Sequence, residues 1–172
     1  MRQRRTMQAW AIRATATIMS TITMTLTMLA LAGCIGGPVK RVSEPTASIQ
    51  QLSVGSDGQW SVELRLQNYS SVPMRFDRVA LTLRADTEVA GELKAEPGLT
   101  VGPESADIAI VKLAPSTAAR ILIADALADR RSLKYTLEGT LTAAAEDRKT
   151  RDYTIKRNSA LSPVPGLPGV MR

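Results

Sequence analysis

The chain predicts an all-β fold with one helix, an antiparallel sandwich, on three observations. From Thr46 onward apolar residues recur with a period of two, the spacing that sends alternate side chains to opposite faces of a strand. Turn signals interrupt the pattern at intervals of roughly ten residues, as sandwich domains require. One alanine- and leucine-rich run, late in the chain, breaks the alternation and reads as a helix.

Residues 47–54 and Trp60–Gln67, separated by Gly55-Ser56-Asp57-Gly58, predict a hairpin. Its second strand is the clearest in the chain. Trp60, Val62, Leu64 and Leu66 alternate with Ser61, Glu63, Arg65 and Gln67, so one face is core and the other solvent. In the first strand the apolar phase slips between Ile49 and Leu52, which predicts a β-bulge. Residues 76–84 set Val79, Leu81 and Leu83 against Arg78, Thr82 and Arg84. After a turn at Asp86-Thr87, residues 88–95 place Val89, Gly91 and Leu93 on one side. Glu96-Pro97-Gly98 and Gly102-Pro103-Glu104-Ser105 bracket a short piece at 99–101, and another strand follows at 106–113.

Pro115-Ser116-Thr117 offers a cap to the run 118–130, a helix of about three turns ending at Arg130-Arg131, cations favourable at a helix C-terminus. Beyond it Leu133, Tyr135, Leu137 and Leu141 alternate with Lys134, Thr136, Glu138 and Thr140. A turn near 145–147 leads to residues 148–157, with Tyr153 and Ile155. Ser162-Pro163-Val164-Pro165-Gly166-Leu167-Pro168-Gly169 is too rich in proline for regular structure. The expected architecture is an immunoglobulin/fibronectin-III-like antiparallel β-sandwich of about seven strands over residues 46–158, with 159–172 as a Pro/Gly-rich tail.

The N-terminus has a different character. Arg2, Arg4, Arg5 and Arg13 precede residues 14–32, which carry no charge, and small residues lead to the only cysteine of the chain in Leu31-Ala32-Gly33-Cys34. That quartet resembles the lipobox of bacterial lipoproteins. The resemblance implies a signal peptide over 1–33, removal ahead of Cys34, and a diacylglycerol on its thiol. A lone thiol with no histidine to activate it and no second cysteine has no disulfide or metal role. Several acyl chains hold a domain at a bilayer, since each buried CH₂ contributes about 0.8 kcal/mol. Residues 34–45, with Gly36, Gly37, Pro38 and Pro45, read as a flexible tether. The uncharged stretch nearly suffices for an uncleaved span, but six threonines make it a poor one. Ile35 after the cysteine, in lipoproteins of this type, implies the outer membrane, facing the periplasm.

The formal charge of +6 is misleading, because residues 1–33 hold four arginines and no acid, leaving 18 basic against 16 acidic residues in the remaining 139. A nucleic-acid binder needs a basic stripe and aromatics to stack on; here the signs are interspersed and aromatics are 3%, so no nucleic-acid partner is expected. With no histidine in the chain, Ser-His-Asp and Cys-His chemistries are excluded. No catalytic residue, metal ligand or cofactor is expected beyond the covalent lipid on Cys34. Glu146-Asp147 could offer oxygens to a hard cation, but beside Arg148, Lys149 and Arg151 they read as a solvated turn. Arg130, Arg131 and Lys134 could touch anionic headgroups, though as helix-end charges they need no such partner. Asp125 interrupts the apolar helical run and is expected at the surface.

Two segments carry a family resemblance. The strand Trp60–Gln67 runs into Asn68-Tyr69-Ser70, and Tyr135-Thr136-Leu137-Glu138-Gly139 follows the helix. These resemble the Asn-Pro-Asn and Tyr-x-Leu-x-Gly segments of the late-embryogenesis-abundant (LEA) type 2 family, also called the water-stress and hypersensitive-response (WHy) domain. Tyr69 stands where the family has proline and Ser70 where it has the second asparagine. Asn68 at a strand end is expected to satisfy local backbone groups. The resemblance implies a small two-sheet sandwich without catalytic residues, associated with desiccation and osmotic stress. Two other functions stay open on the residues alone. One is a binding module for lipid or another apolar ligand in a cleft between the sheets; the other is an envelope assembly factor that adds a strand at a sheet edge.

Overall fold

In the computed structural model, which describes residues 39–172, the predicted hairpin is the start of the first sheet. Strands β1 (Thr46–Val54) and β2 (Trp60–Gln67) pair antiparallel, and the register shifts between Ile49 and Gln51, at the expected bulge. β6 (Ala106–Leu113) pairs with the other side of β2, and the two-residue β9 (Val170–Met171) with β1, giving the order β6-β2-β1-β9. The second sheet contains β3 (Met74–Ala85), β4 (Glu88–Ala95), β7 (Leu133–Ala145) and β8 (Arg151–Leu161) in the order β4-β3-β7-β8, with β5 (Leu99–Val101) paired to the start of β3. Every pairing is antiparallel. The inner faces of both sheets merge into one buried cluster in which Trp60, Phe76, Leu81, Leu137 and Leu141 are among the largest side chains.

The alternation in Trp60–Gln67 holds residue by residue, because this strand is central in its sheet and one face meets the core. In β4 it does not. Ala90 is buried while Val89 is 44% exposed, because the register skips Ala90 between the Leu83–Gly91 and Arg84–Val89 pairs. Gly91 sits at this irregularity with φ +152°, a conformation open to glycine.

Helix α1 spans Thr117–Ala128 and lies over one end of the sandwich. Ser116 caps it: its Oγ accepts from the Ala119 amide at 3.2 Å and donates to the Val89 carbonyl at 2.7 Å, so one hydroxyl starts the helix and ties it to β4. Small Ala119 and Ala126 flank Ile123 on the buried face, which allows close approach to the sheet. The helix ends earlier than expected. Asp129 is the C-cap and Arg130 turns left-handed at φ +52°, with the Arg131 amide reaching back to the Ala126 carbonyl at 3.0 Å. Arg130 and Arg131 thus lie past the last turn. Asp125 is exposed, as expected.

The strand count among the described residues is nine, not about seven, and the segment read as a tail is part of the sandwich. β8 runs on to Leu161, and Ser162 and Arg172 exchange backbone hydrogen bonds of 2.6 and 2.9 Å. Residues 162–169 are irregular apart from an isolated bridge between Pro163 and Met171, but they return the chain so that Met171 is wholly buried against β1. Proline content ruled out local regularity, as read; it did not prevent a two-residue pairing.

Candidate functional site

Strand directions divide the sandwich into two ends. At the proximal end β1, β3, β6 and β8 begin; at the distal end lie the 55–58 turn, α1 and residues 162–169. The Asn68-Tyr69-Ser70 motif is proximal. Asn68 leaves β2 with its amide donating to the Ser105 carbonyl at 2.9 Å, and its side chain is wholly buried. Nδ2 donates to the carbonyls of Val72 (2.9 Å), Val101 (3.2 Å) and Gly102 (2.9 Å), while Oδ1 accepts from the Ser70 amide at 2.8 Å. The last contact is the local turn expected of an asparagine here; the bonds to Val101 and Gly102 join loops far apart in sequence. The amide is committed to the chain's own backbone on every side.

Ser70, also wholly buried, extends this network to the incoming chain. Its Oγ accepts from the Ser43 amide at 3.0 Å and lies 3.3 Å from the Ser43 carbonyl. One residue on, the Ser71 amide donates to the Arg41 carbonyl at 2.9 Å and the Arg41 amide to Ser71 Oγ at 2.8 Å. Arg41 pairs with Glu104 at 2.9 Å, and Lys40 with Asp147 at 3.0 Å and Glu146 at 3.5 Å. Pro45 is buried. Residues 40–45, read from the sequence as flexible tether, are instead fastened to the proximal end. The Lys40 pKa is raised by its hydrogen bond to Asp147 and by the charges of both carboxylates, and that of Arg75 by its hydrogen bond to Asp77; both side chains are exposed.

Tyr135, Leu137 and Gly139 lie along β7. Tyr135 is buried and its hydroxyl accepts from the Ile49 amide at 3.1 Å, at the β1 bulge of the opposite sheet. The bulge frees an amide from the ladder, and the tyrosine of the facing sheet takes it up. Tyr135→Phe is therefore expected to cost about 1–2 kcal/mol through a buried amide left without its partner, read as a shift in the urea midpoint. Leu137 is fully buried in the core. Gly139 is paired with Leu81 and Ile155 at φ +150°, and a Cβ there would lie 2.3 Å from the Ala80 carbonyl oxygen.

Cys34 and the Leu31-Ala32-Gly33 residues before it lie outside the described residues. No group of three or more His, Cys, Asp or Glu side chains could hold a metal among the described residues. Glu146 and Asp147 instead pair with Lys40. Among those residues no helix is long and apolar enough to cross a membrane. The Arg130, Arg131 and Lys134 cluster is exposed, and Arg131 pairs with Asp129 at 3.7 Å. An open groove of about 680 Å³, lined by Leu127, Arg130, Pro163 and Leu167 among others, runs between the end of α1 and the C-terminal segment, outside the two sheets. Sequence reasoning missed Ser43, Ser71 and Arg41, whose bonds across 27–30 residues leave no periodic trace.

No curated protein sequence matches the chain significantly. Similar solved structures include a protein from Archaeoglobus fulgidus (16% identity, covering 72% of this chain and 98% of that one, TM-score 0.43). A protein from Arabidopsis thaliana has 17% identity over 78% of this chain and 86% of its own, with a TM-score of 0.46. A solution structure described as a late embryogenesis abundant protein has 14% identity over 91% and 87%, with a TM-score of 0.41. The LEA type 2 model, described as late embryogenesis abundant protein, matches residues 63–159. That match takes in more than half of the chain and both the Asn68 and the Tyr135–Gly139 segments, and the chain belongs to the late embryogenesis abundant family.

Proposed function

We propose that this chain is a non-catalytic, lipid-anchored LEA protein of the bacterial envelope, of the WHy kind, that protects the envelope or its proteins against desiccation and osmotic stress. Family membership supports the stress role. The observation that carries the anchored reading is the Leu31-Ala32-Gly33-Cys34 quartet standing six residues before Lys40, which pairs with Asp147. The non-catalytic reading is supported by a chain without histidine and by a buried polar network that serves backbone groups only. The ligand-cleft alternative loses ground because the inner faces are filled by one cluster of buried side chains. Strand addition at β6 is opposed by Asp107, whose Oδ1 accepts the Ile108 amide at 2.8 Å and blunts that edge.

Deletion of the gene is expected to lower survival of drying and of osmotic shock, with recovery on complementation by the intact gene. Unchanged survival in the deletion strain would remove the stress role and leave the anchoring question untouched.

A further inference from the structure

Between the end of α1 and the C-terminal segment the surface is not closed. The groove there, about 680 Å³, falls within the roughly 300–1,000 Å³ of ordinary ligand sites. Both of its walls are fixed by the fold. Leu127 and Ala128 of the last helical turn form one. The other is the 163–169 segment, closed into a loop by the Ser162–Arg172 backbone exchange and tied to β1 by the Val54 amide, which donates to the Gly169 carbonyl at 2.8 Å. Leu167 of that loop is 48% exposed.

The loop wall is poor in hydrogen-bond donors. Pro163, Pro165 and Pro168 have no amide hydrogen, and the Val164 and Leu167 amides are bonded within the segment, to the Val170 and Val164 carbonyls at 2.9 and 3.1 Å. An extended peptide lying there would leave backbone groups without partners. A hydrocarbon chain has none to satisfy.

Arg130 is the one charged residue that lines the groove. α1 ends in a Schellman turn, with the Arg130 amide on the Leu127 carbonyl at 3.4 Å and the Arg131 amide on the Ala126 carbonyl at 3.0 Å. The left-handed position of such a turn is the one glycine commonly fills. Here it holds Arg130 at φ +52°, a conformation strained for a residue with a Cβ. The Arg130 side chain is exposed and has no ion pair or hydrogen bond among the described residues. The acids nearest it in sequence do not balance it: Asp129 pairs with Arg131 at 3.7 Å, and neither Asp129 nor Asp125 lines the groove.

We infer that this groove binds a long-chain fatty-acid anion, its hydrocarbon chain along Leu127, Ala128 and Leu167 and its carboxylate on the Arg130 guanidinium. An arginine in place of the less strained glycine supplies the one feature that a carboxylate requires in an apolar groove. The site lies outside the two sheets, so the filled core does not have to open. It goes beyond the stress reading and depends on neither the anchor nor the residues before 40.

The test uses the full chain in phosphatidylcholine nanodiscs and a diazirine-bearing myristate, with the alcohol of the same chain length as the uncharged probe; labelled positions are read by peptide mass spectrometry. Saturable labelling by the myristate, confined to peptides containing 127–130 and 163–169 and displaced by unmodified myristate, is the expected result, with the alcohol labelling them only weakly. Arg130→Gly relieves the left-handed turn, so its urea midpoint should hold or rise. Its half-saturating myristate concentration should nevertheless rise about tenfold, through loss of one charge-assisted hydrogen bond. Arg130→Asn, also tolerated in that conformation, should behave in the same way, and Ala128→Trp, which fills the groove, should abolish labelling with the charge left in place. Labelling that does not saturate or spreads over the domain surface overturns the inference, and so does equal labelling by acid and alcohol or by wild type and both Arg130 variants.

Discussion

Gly139→Ala is expected to destabilise the domain by about 3–5 kcal/mol, a large part of the ~5–15 kcal/mol that holds a domain folded. The added Cβ would lie 2.3 Å from the Ala80 carbonyl oxygen and 3.0 Å from Leu81 Cα. Both are backbone atoms, so no rotamer change relieves the clash. Nor can β3 withdraw, because it pairs with β4 and β5 on its other side. The control is Gly98→Ala, at φ +57° with nothing within 4 Å of the new Cβ, where only the left-handed conformation is penalised, by about 1 kcal/mol. Urea unfolding followed by the emission of Trp60 measures both. Equal losses in the two variants would show that the close approach of β3 does not govern position 139.

Asn68→Ala is expected to cost about 3–5 kcal/mol, since each buried group left without a partner costs about 1–3 kcal/mol. It strips the donor from Val72, Val101 and Gly102 and the acceptor from the Ser70 amide. The near-isosteric Asn68→Asp separates packing from hydrogen bonding. Its carboxylate would face three carbonyl oxygens in a buried site, which raises the folded-state pKa above the unfolded value of about 3.9. The protonated form is then the one the fold tolerates. Asn68→Asp should therefore approach wild-type stability below the unfolded pKa and lose it as pH rises toward neutrality. Urea midpoints at acid and neutral pH read this directly; a variant as stable as wild type at neutral pH would mean that Nδ2 does not hold the loops together.

The strands were legible wherever one face meets the core and the other meets water. Trp60–Gln67 alternates without error, and the slipped phase at Ile49 announced a bulge that exists. The start of the helix was legible because Ser116 acts locally, through the Ala119 amide three residues on. Its end was not, since Asp129 rather than Arg130 closes it and no residue pattern marks that choice. Val89 was misplaced because the skip at Ala90 puts it out of phase with Leu93, and a glycine that permits the skip reads the same as one that does not.

The candidate site was legible as residues but not as geometry. Asn68 was read as satisfying its own turn; its Oδ1 accepts from the Ser70 amide two residues on, while its bonds to Val101 and Gly102 cross more than thirty residues. Gly139 was picked out by resemblance, while the approach of the Ala80 carbonyl that excludes a side chain there is tertiary. Residues 40–45 looked like linker for the same reason. They follow Gly36-Gly37-Pro38 and end at Pro45 without periodicity, a pattern shared by flexible chain and by a segment held through Ser70, Ser71 and Glu104. The Val170–Met171 pairing, two residues long, is too short to show a period.

Metabolic labelling with palmitate, comparing wild type with Cys34→Ser, tests the proposed anchor most directly. Label is expected in the wild type and none in Cys34→Ser, with the variant retaining its signal segment and the sandwich still folded, because the core lies within residues 47–171. Label of equal intensity in both, or none in the wild type, would contradict it.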